Sequence, residues 1–182
     1  ENRRPVNIDL WEYNNFSTAI GTMGRIADIV AYDKSRDLAL LRVKDRERQM
    51  SYVATLYPEG LDEGPWIFQT VYAVGAGLGK PPFPTMGLLA GYSRDQDGNE
   101  LYLSSSPIIF GNSGGSLYVF SPRRTYELIG VPSMVSAYGW GNVVTHMAWS
   151  RPIAEIRLFL RANKYGFILG DKPEEKEVED ND

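Results

Sequence analysis

The chain of 182 residues is long enough for one domain or two closely packed halves, and it contains no cysteine, which excludes a disulfide scaffold and a thiolate metal site. The net charge is -4, but the segment 171–182 carries seven acidic residues and two lysines, so residues 1–170 are near neutral. Without a concentrated basic stripe, nucleic acid is not expected as a partner, and no apolar run is long enough to span a bilayer.

Most of the predicted elements are short strands. The first, at 6–13, alternates apolar and polar residues with period two, which is typical of a half-buried strand. Glycines 21 and 24 are expected to interrupt the chain, which gives separate strands at 16–20 and 25–32. A glycine-rich stretch at 75–80 has the wrong spacing for a phosphate-binding loop and is interpreted as a turn. The remaining predicted strands are at 37–43, 66–74, 85–92, 100–103, 115–120, 126–131 and 143–149.

One helix is predicted, near the end of the chain. Ser150 is placed to cap it, Pro152 falls in its first turn, and Gly166 is expected to end it. Many short strands followed by a single terminal helix are typical of the β-barrel or β-sandwich class.

A glycine-bracketed turn carries a candidate nucleophile. Ser113 follows Gly111 and Asn112 and precedes two further glycines. Glycine permits backbone angles that a Cβ would forbid, and the N–H groups of Gly111, Asn112 and Ser113 can point into one small space, as an oxyanion hole requires. Alone, such a turn is more often a simple connection. A serine nucleophile also needs a base and an acid that orients the base, and Asp37, at the mouth of an apolar strand, is the candidate acid.

Together the two stretches resemble trypsin-like serine proteases of the chymotrypsin fold, and among them the bacterial HtrA/Do-like branch. The five residues that begin at Asp37 (Asp-Leu-Ala-Leu-Leu) are similar to the strand of the catalytic aspartate, and 111–115 is similar to the nucleophile turn. The aspartate and the serine lie 76 positions apart, in the family's order. The resemblance implies an all-β fold of two six-stranded β-barrels with a C-terminal helix, and we expect the N-terminal barrel to be incomplete in this chain.

The implied domain is a protease domain at 1–170, followed by an acidic, flexible tail at 171–182. Within the domain, 1–75 would be the remainder of the N-terminal barrel. The C-terminal barrel would occupy 76–149 and the terminal helix 150–165.

The resemblance implies a serine endopeptidase that hydrolyses peptide bonds. Ser113 is the implied nucleophile, Asp37 is the acid that orients the base, and the N–H groups of Gly111 and Ser113 are the implied oxyanion hole. Asn112 stands where animal trypsins have an aspartate that pairs with a new N-terminus. Because asparagine cannot form that ion pair, activation by N-terminal insertion is not expected.

Two further segments are implied to bind substrate. Ser133, Met134 and Val135 are similar to the strand that hydrogen-bonds an extended peptide. Pro107 and Ile108 would lie near the base and wall of the pocket for the residue before the cleaved bond. Both are apolar, so a neutral, small or medium apolar residue is expected there.

The base of the family is a histidine that precedes the aspartate, whereas the single histidine of this chain, His146, follows the serine. The resemblance places His146 on the strand that lines the specificity pocket, so it is not assigned as the base. Three explanations are open: the histidine lies upstream of residue 1, the protein is an inactive relative that keeps the groove, or another subunit supplies the base. His146 is either a strand residue satisfied by its neighbours or a side chain that recognises an acidic or amide residue in the pocket.

No metal site is indicated by one histidine and scattered acids, and no cofactor is implied. The expected partner is a polypeptide substrate, with no nucleic acid and no membrane span, and the oligomeric state is open. The class favours a secreted, periplasmic or viral location over a cytosolic one. The alternative function is that of a catalytically inactive trypsin-like fold, acting as a peptide-binding or structural assembly module.

Overall fold

The computed structural model describes residues 4–15, 18–44, 52–60 and 65–172. The predicted tail beyond residue 172 lies outside these residues. Short 3-10 helices lie at Gly77–Gly79 and Gly166–Leu169. The other elements are β1 (Val6–Asn14), β2 (Thr18–Asp33), β3 (Leu38–Val43), β4 (Thr55–Leu56), β5 (Thr70–Gly75), β6 (Phe83–Arg94), β7 (Glu100–Ser104), β8 (Ser116–Phe120), β9 (Tyr126–Tyr138), β10 (Asn142–Pro152) and α1 (Ile153–Ala162).

The strands form two sheets. Strands β1, β2 and β3 make an antiparallel three-stranded sheet. The second sheet has the order β10-β7-β6-β5-β8-β9-β4. Because β10 also pairs with β9, six of these strands form a closed series of pairings, and β4 pairs with β9 in parallel. The predicted all-β class with a C-terminal helix is confirmed, and the first sheet has three strands among the described residues, fewer than a six-stranded barrel needs.

The change from one sheet to the other falls between β3 and β4. Strand β5 already belongs to the second sheet, whereas the sequence placed the end of the N-terminal half at residue 75. The site residues therefore divide between the sheets: Asp37 precedes β3 of the first sheet, and Ser113 precedes β8 of the second.

Four local predictions were wrong, one of them the end of the helix, which lies at Ala162 and not at Gly166. Strand β2 runs through both glycines without a break, because β1 pairs with it along most of its length and places Gly24 opposite Asp9. Residues 66–69 form a turn closed by a hydrogen bond from the Gln69 N–H to the Trp66 carbonyl. Ser150 is not the helix cap, since β10 continues to Pro152 and the helix starts directly after that proline.

Each sheet has its own apolar core. The core of the second sheet is formed by Val71, Ala73, Leu89, Ile108, Leu117, Val119, Ile129 and Ala148. Helix α1 covers the first sheet instead, where its residues Phe159 and Leu160 pack with Ala31 of β2. Because α1 follows directly on β10, it ties the first sheet to the second. No helix in the described part of the chain is long and apolar enough to cross a membrane.

Candidate active site

Ser113 occupies an exposed turn directly before β8. Gly111 and Gly114 on either side have φ angles of 99° and 80°, which residues with a Cβ rarely adopt. The turn is closed by the Asn112 N–H, which donates to the Ile109 carbonyl at 3.0 Å. The predicted nucleophile thus sits at the apex of a tight turn that depends on glycine.

The Asn112 side chain supports this turn from inside. It is only 3% exposed, and its Oδ1 accepts a hydrogen bond from the Ile109 N–H at 3.0 Å. The turn after β5 packs closely against it, since a Cβ on Gly75 would lie 2.7 Å from the Asn112 amide nitrogen. The Leu78 N–H also donates to the Phe110 carbonyl at 2.7 Å. The glycine-rich stretch after β5 is therefore a turn, as predicted, and it supports the nucleophile turn.

Asp37 ends the turn that joins β2 to β3. Its φ angle is 53°, in the left-handed region that aspartate adopts more readily than most residues. Its side chain is exposed, and Oδ2 accepts a hydrogen bond from the Ser133 hydroxyl at 2.6 Å. A contact of this length to a carboxylate is a strong, charge-assisted hydrogen bond.

Ser133 touches the predicted acid with its side chain and the predicted nucleophile with its backbone. The Ser113 hydroxyl donates to the Ser133 carbonyl at 2.9 Å. The pairing between β9 and β10 skips Ser133, which lies in a bulge. Bulges of this kind turn backbone groups away from the regular ladder. One residue of β9 thus brings Asp37 and Ser113 to the same place.

Of the three backbone amides predicted for the oxyanion hole, one already makes a hydrogen bond within the protein and two do not, among the described residues. The Asn112 N–H is already engaged by Ile109. The amides of Gly111 and Ser113 have no hydrogen-bond acceptor among the described residues. Gly111 and Ser113 are the two donors that the resemblance implies. Their role as the oxyanion hole stays a prediction, and the Asn112 N–H holds the turn instead.

Met134 and Val135 lie on β9 beyond the bulge. Both pair with β10, whereas the pairing of β9 with β8 stops at Gly130. In the described part of the chain, the other edge of Met134 and Val135 is therefore not paired with a strand. An extended peptide adds to a free edge of this kind through main-chain hydrogen bonds.

The predicted pocket residues lie on two neighbouring segments. The Ile108 N–H donates to the Thr145 carbonyl at 2.9 Å, which joins the segment of Pro107 and Ile108 to β10 beside His146. Pro107 and His146 are exposed, but Ile108 is only 4% exposed and packs in the core. The Ile108 side chain is thus mostly occupied by core contacts.

His146 lies where β10 leaves its register with β9. The residues between Val144 and Ala148 have no partner on β9. This places His146 on the strand that the sequence assigned to the pocket, and no hydrogen bond joins its ring to Asp37 or Ser113 in the described structure.

The contacts around Asp37 were not predictable from the sequence. Arg36 and Ser35, in the same turn, contact the second sheet and α1 through Glu155, Asn99 and Arg151. The only available signals were the charge beside Asp37 and an acid in the first turn of the predicted helix. Neither indicates its partner, because the two ends of the contact lie 119 positions apart.

The fold and the match to a family model show that this chain belongs to the trypsin-like peptidase family. The model of the trypsin-like peptidase domain matches residues 4–131. No curated protein matches the sequence.

Solved structures with a similar fold include HtrA-type proteases. One is the HtrA-type protease AlgW with a decapeptide, at a TM-score of 0.62 and 22% identity, covering 79% of this chain and 42% of that chain. The same protease with a tripeptide has a TM-score of 0.61 and 21% identity, covering 83% and 50%. A serine endoprotease from Yersinia pestis has a TM-score of 0.58 and 19% identity, covering 78% and 45%. The chain thus spans half or less of the length of these structures, and the likeness shows the fold.

Proposed function

We propose that this chain is the catalytic domain of a serine endopeptidase, in which Ser113 attacks the peptide carbonyl and Asp37 orients the base. The N–H groups of Gly111 and Ser113 would stabilise the oxyanion of the tetrahedral intermediate. Donors aimed at developing charge are typically worth about a hundred- to a thousandfold in rate each.

The observation that carries the proposal is the contact of both residues with Ser133. Its hydroxyl donates to Asp37 at 2.6 Å and its carbonyl accepts from Ser113 at 2.9 Å. The acid Asp37 and the nucleophile Ser113, which belong to different sheets, thereby face one small region. Acyl transfer needs this arrangement, because a single base must contact both of them. A plain connecting turn requires no such convergence.

The substrate would be an extended polypeptide on the free edge of β9. Met134 and Val135 would exchange main-chain hydrogen bonds with it, and the residue before the cleaved bond would enter the space beside Pro107. The solved AlgW structures were determined with a decapeptide and a tripeptide. The peptides belong to that protease, and their presence favours a peptide ligand for the same edge here.

We propose that the base is a histidine outside these 182 residues. The chain's one histidine, His146, lies in the irregular part of β10 beside the pocket segment. In this mechanism the base takes the Ser113 proton as the oxygen attacks and then gives it to the leaving amine. The orienting acid contributes strongly, since its loss in such triads lowers kcat by about 10⁴-fold.

The test is covalent labelling of the full-length natural protein with a fluorophosphonate probe. Mass spectrometry should place the label on Ser113, and Ser113→Ala should abolish it. Asp37→Asn should slow labelling while leaving the folded state intact, because Asp37 is exposed. The 182-residue chain alone should react far more slowly than the full-length protein.

The second candidate function is a peptide-binding or assembly module without catalysis. The chain's one histidine, His146, makes no hydrogen bond to Asp37 or Ser113 among the described residues, which favours this candidate. This candidate predicts no labelling of the full-length protein but measurable affinity for extended peptides. Labelling of Ser113 would exclude it.

A further inference from the structure

We propose that Arg36 and Glu155 are positioning residues for the reaction: their ion pair holds the turn that carries Asp37 against the second sheet and sets the carboxylate opposite Ser133. The inference rests on the proposed function of Asp37. It adds a role for α1, to which Glu155 belongs.

The ion pair joins the Asp37 turn to α1 and, through Glu155, to the second sheet. Arg36 donates from Nε to Glu155 Oε2 at 2.9 Å and from Nη1 to Asp33 Oδ2 at 2.6 Å. The second Glu155 oxygen, Oε1, accepts from the Glu100 N–H at the start of β7, at 2.9 Å. The Glu155 side chain is 7% exposed, so its charge depends on these partners. One carboxylate therefore links the Asp37 turn to the second sheet.

A second contact lies one residue earlier. The Ser35 carbonyl accepts hydrogen bonds from the Asn99 amide at 3.2 Å and from Arg151 Nη2 at 3.3 Å. Arg151 is 3% exposed and is paired with Asp95 at 2.6 Å. The turn is thus attached at two consecutive residues to buried groups, Arg36 to α1 and Ser35 to residues of the second sheet and its loop.

The electrostatics agree with this geometry. Hydrogen bonds to Asp33 and then to Glu155 raise the pKa of Arg36, against the opposing effect of burial. Burial alone would raise the pKa of Asp33, but hydrogen bonds from Arg36 and Ser35 outweigh it and lower that pKa. The charged forms are therefore the stable ones in the folded turn.

Asp37 itself contributes little to holding its turn, which Asp33 Oδ1 closes by accepting from the Ser35 and Arg36 N–H groups. Within its own turn, its N–H makes only a long contact to the Lys34 carbonyl at 3.4 Å. Its left-handed φ is a conformation that surrounding structure must hold. Without the anchors at residues 35 and 36 the carboxylate would move relative to Ser133. A displacement of about 1 Å in such a constellation can cost about a hundredfold in rate.

The experiment compares Arg36→Gln and Glu155→Gln with Arg161→Gln in the full-length protein. Arg161 is a matched control, since it belongs to the same helix and pairs with Glu59 at 2.7 Å and Asp171 at 2.8 Å, away from the Asp37 turn. Peptide hydrolysis gives kcat and KM, fluorophosphonate labelling reports Ser113, and hydrogen exchange reports opening of the segment 33–38.

We expect kcat to fall about ten- to a hundredfold in Arg36→Gln and Glu155→Gln. KM should stay within about twofold, because the substrate edge is on β9 and is not touched by the pair. Hydrogen exchange of 33–38 should accelerate in both. Arg36→Lys, which keeps the charge but lacks the planar fork, should lie between wild type and Arg36→Gln and provides a milder variant if Arg36→Gln fails to fold.

Two outcomes overturn the inference. One is unchanged exchange of 33–38 in Arg36→Gln and Glu155→Gln, which would show that the pair does not hold the turn. The other is a loss of kcat in Arg161→Gln equal to that in Arg36→Gln, which would indicate general destabilisation. An unlabelled wild-type protein would contradict the proposed function instead, and hydrogen exchange would still decide whether the pair positions Asp37.

Discussion

The hydroxyl of Ser133 donates to the carboxylate of Asp37 at 2.6 Å, across 96 positions of sequence and between the two sheets. The same residue offers its carbonyl to Ser113. The side chain and the backbone of Ser133 therefore have different tasks, and substitution can separate them.

Ser133→Ala removes the hydrogen bond to Asp37 and leaves the backbone carbonyl in place. A hydrogen bond to a charged group contributes about 1.5–3 kcal/mol, so kcat should fall by about tenfold or more. KM should change little, because an extended peptide uses main-chain groups of β9. Steady-state hydrolysis of a peptide substrate measures both constants.

Ser133→Thr is the control for that prediction, since it keeps a hydroxyl. It should retain most of the activity that Ser133→Ala loses. If both variants hydrolyse peptide like wild type, the contact with Asp37 has no part in catalysis.

Gly111→Ala and Gly114→Ala form a second matched pair. At Gly111 a Cβ would lie 2.5 Å from the Ala76 carbonyl oxygen, whereas at Gly114 it would meet nothing within 4 Å. Both glycines have positive φ, so each alanine costs about 1–2 kcal/mol in backbone strain. Only Gly111→Ala must also displace the turn, and labelling of Ser113 should fall about a hundredfold if the Gly111 amide moves away from the oxyanion.

Urea unfolding and fluorophosphonate labelling of the full-length protein test this pair. Gly114→Ala should lower the free energy of unfolding and still be labelled. Equal labelling rates in the two variants would contradict a role for the Gly111 amide.

Many of the strands could be predicted because local sequence patterns indicate where they lie. Alternation of apolar and polar residues located β1, and strand-like runs between turn residues located β6, β8 and β10 within a few residues. The break predicted inside β2 was wrong because pairing with β1 along the strand outweighs the weak strand preference of Gly21 and Gly24. The capping role of Ser150 was wrong because β10 needs that residue for its pairing with β9.

The candidate site could be predicted only in part. Ser113 and Asp37 lie in recognisable stretches of sequence. Glu155 does not, because an acid in the first turn of a helix is ordinarily explained by the helix dipole. Its bond to Arg36 depends on how α1 packs across the two sheets, and no local pattern describes that packing.

Acid should weaken the attachment of the Asp37 turn. The pKa of Asp33 is lowered as described, and the pKa of Asp95 is lowered because hydrogen bonds from Arg151 and Asn99 outweigh the effect of burial. A carboxyl with a lowered folded pKa binds fewer protons folded than unfolded, so its contribution is fully present above the ordinary value of 3.8 and is lost as pH falls through the folded pKa.

The thermal unfolding midpoint should therefore decline steeply below about pH 4. Asp33→Asn should have a lower midpoint at neutral pH and a shallower decline in acid. Differential scanning calorimetry across this range measures both, and a decline in Asp33→Asn as steep as in wild type would show that Asp33 is not among the groups responsible.

Cleavage of a peptide library should show a neutral, small or medium apolar residue before the cleaved bond. Pro107 and Ile108 offer no charge to a basic side chain, so Arg and Lys should be disfavoured by about tenfold or more at that position.

The specificity should be the same in His146→Ala, if His146 is only a strand residue satisfied by its neighbours. Dominant cleavage after Arg or Lys would contradict the apolar pocket. Cleavage after Glu or Gln that disappears in His146→Ala would also contradict the apolar pocket. That result would show that the exposed His146 imidazole on β10 recognises the side chain before the cleaved bond.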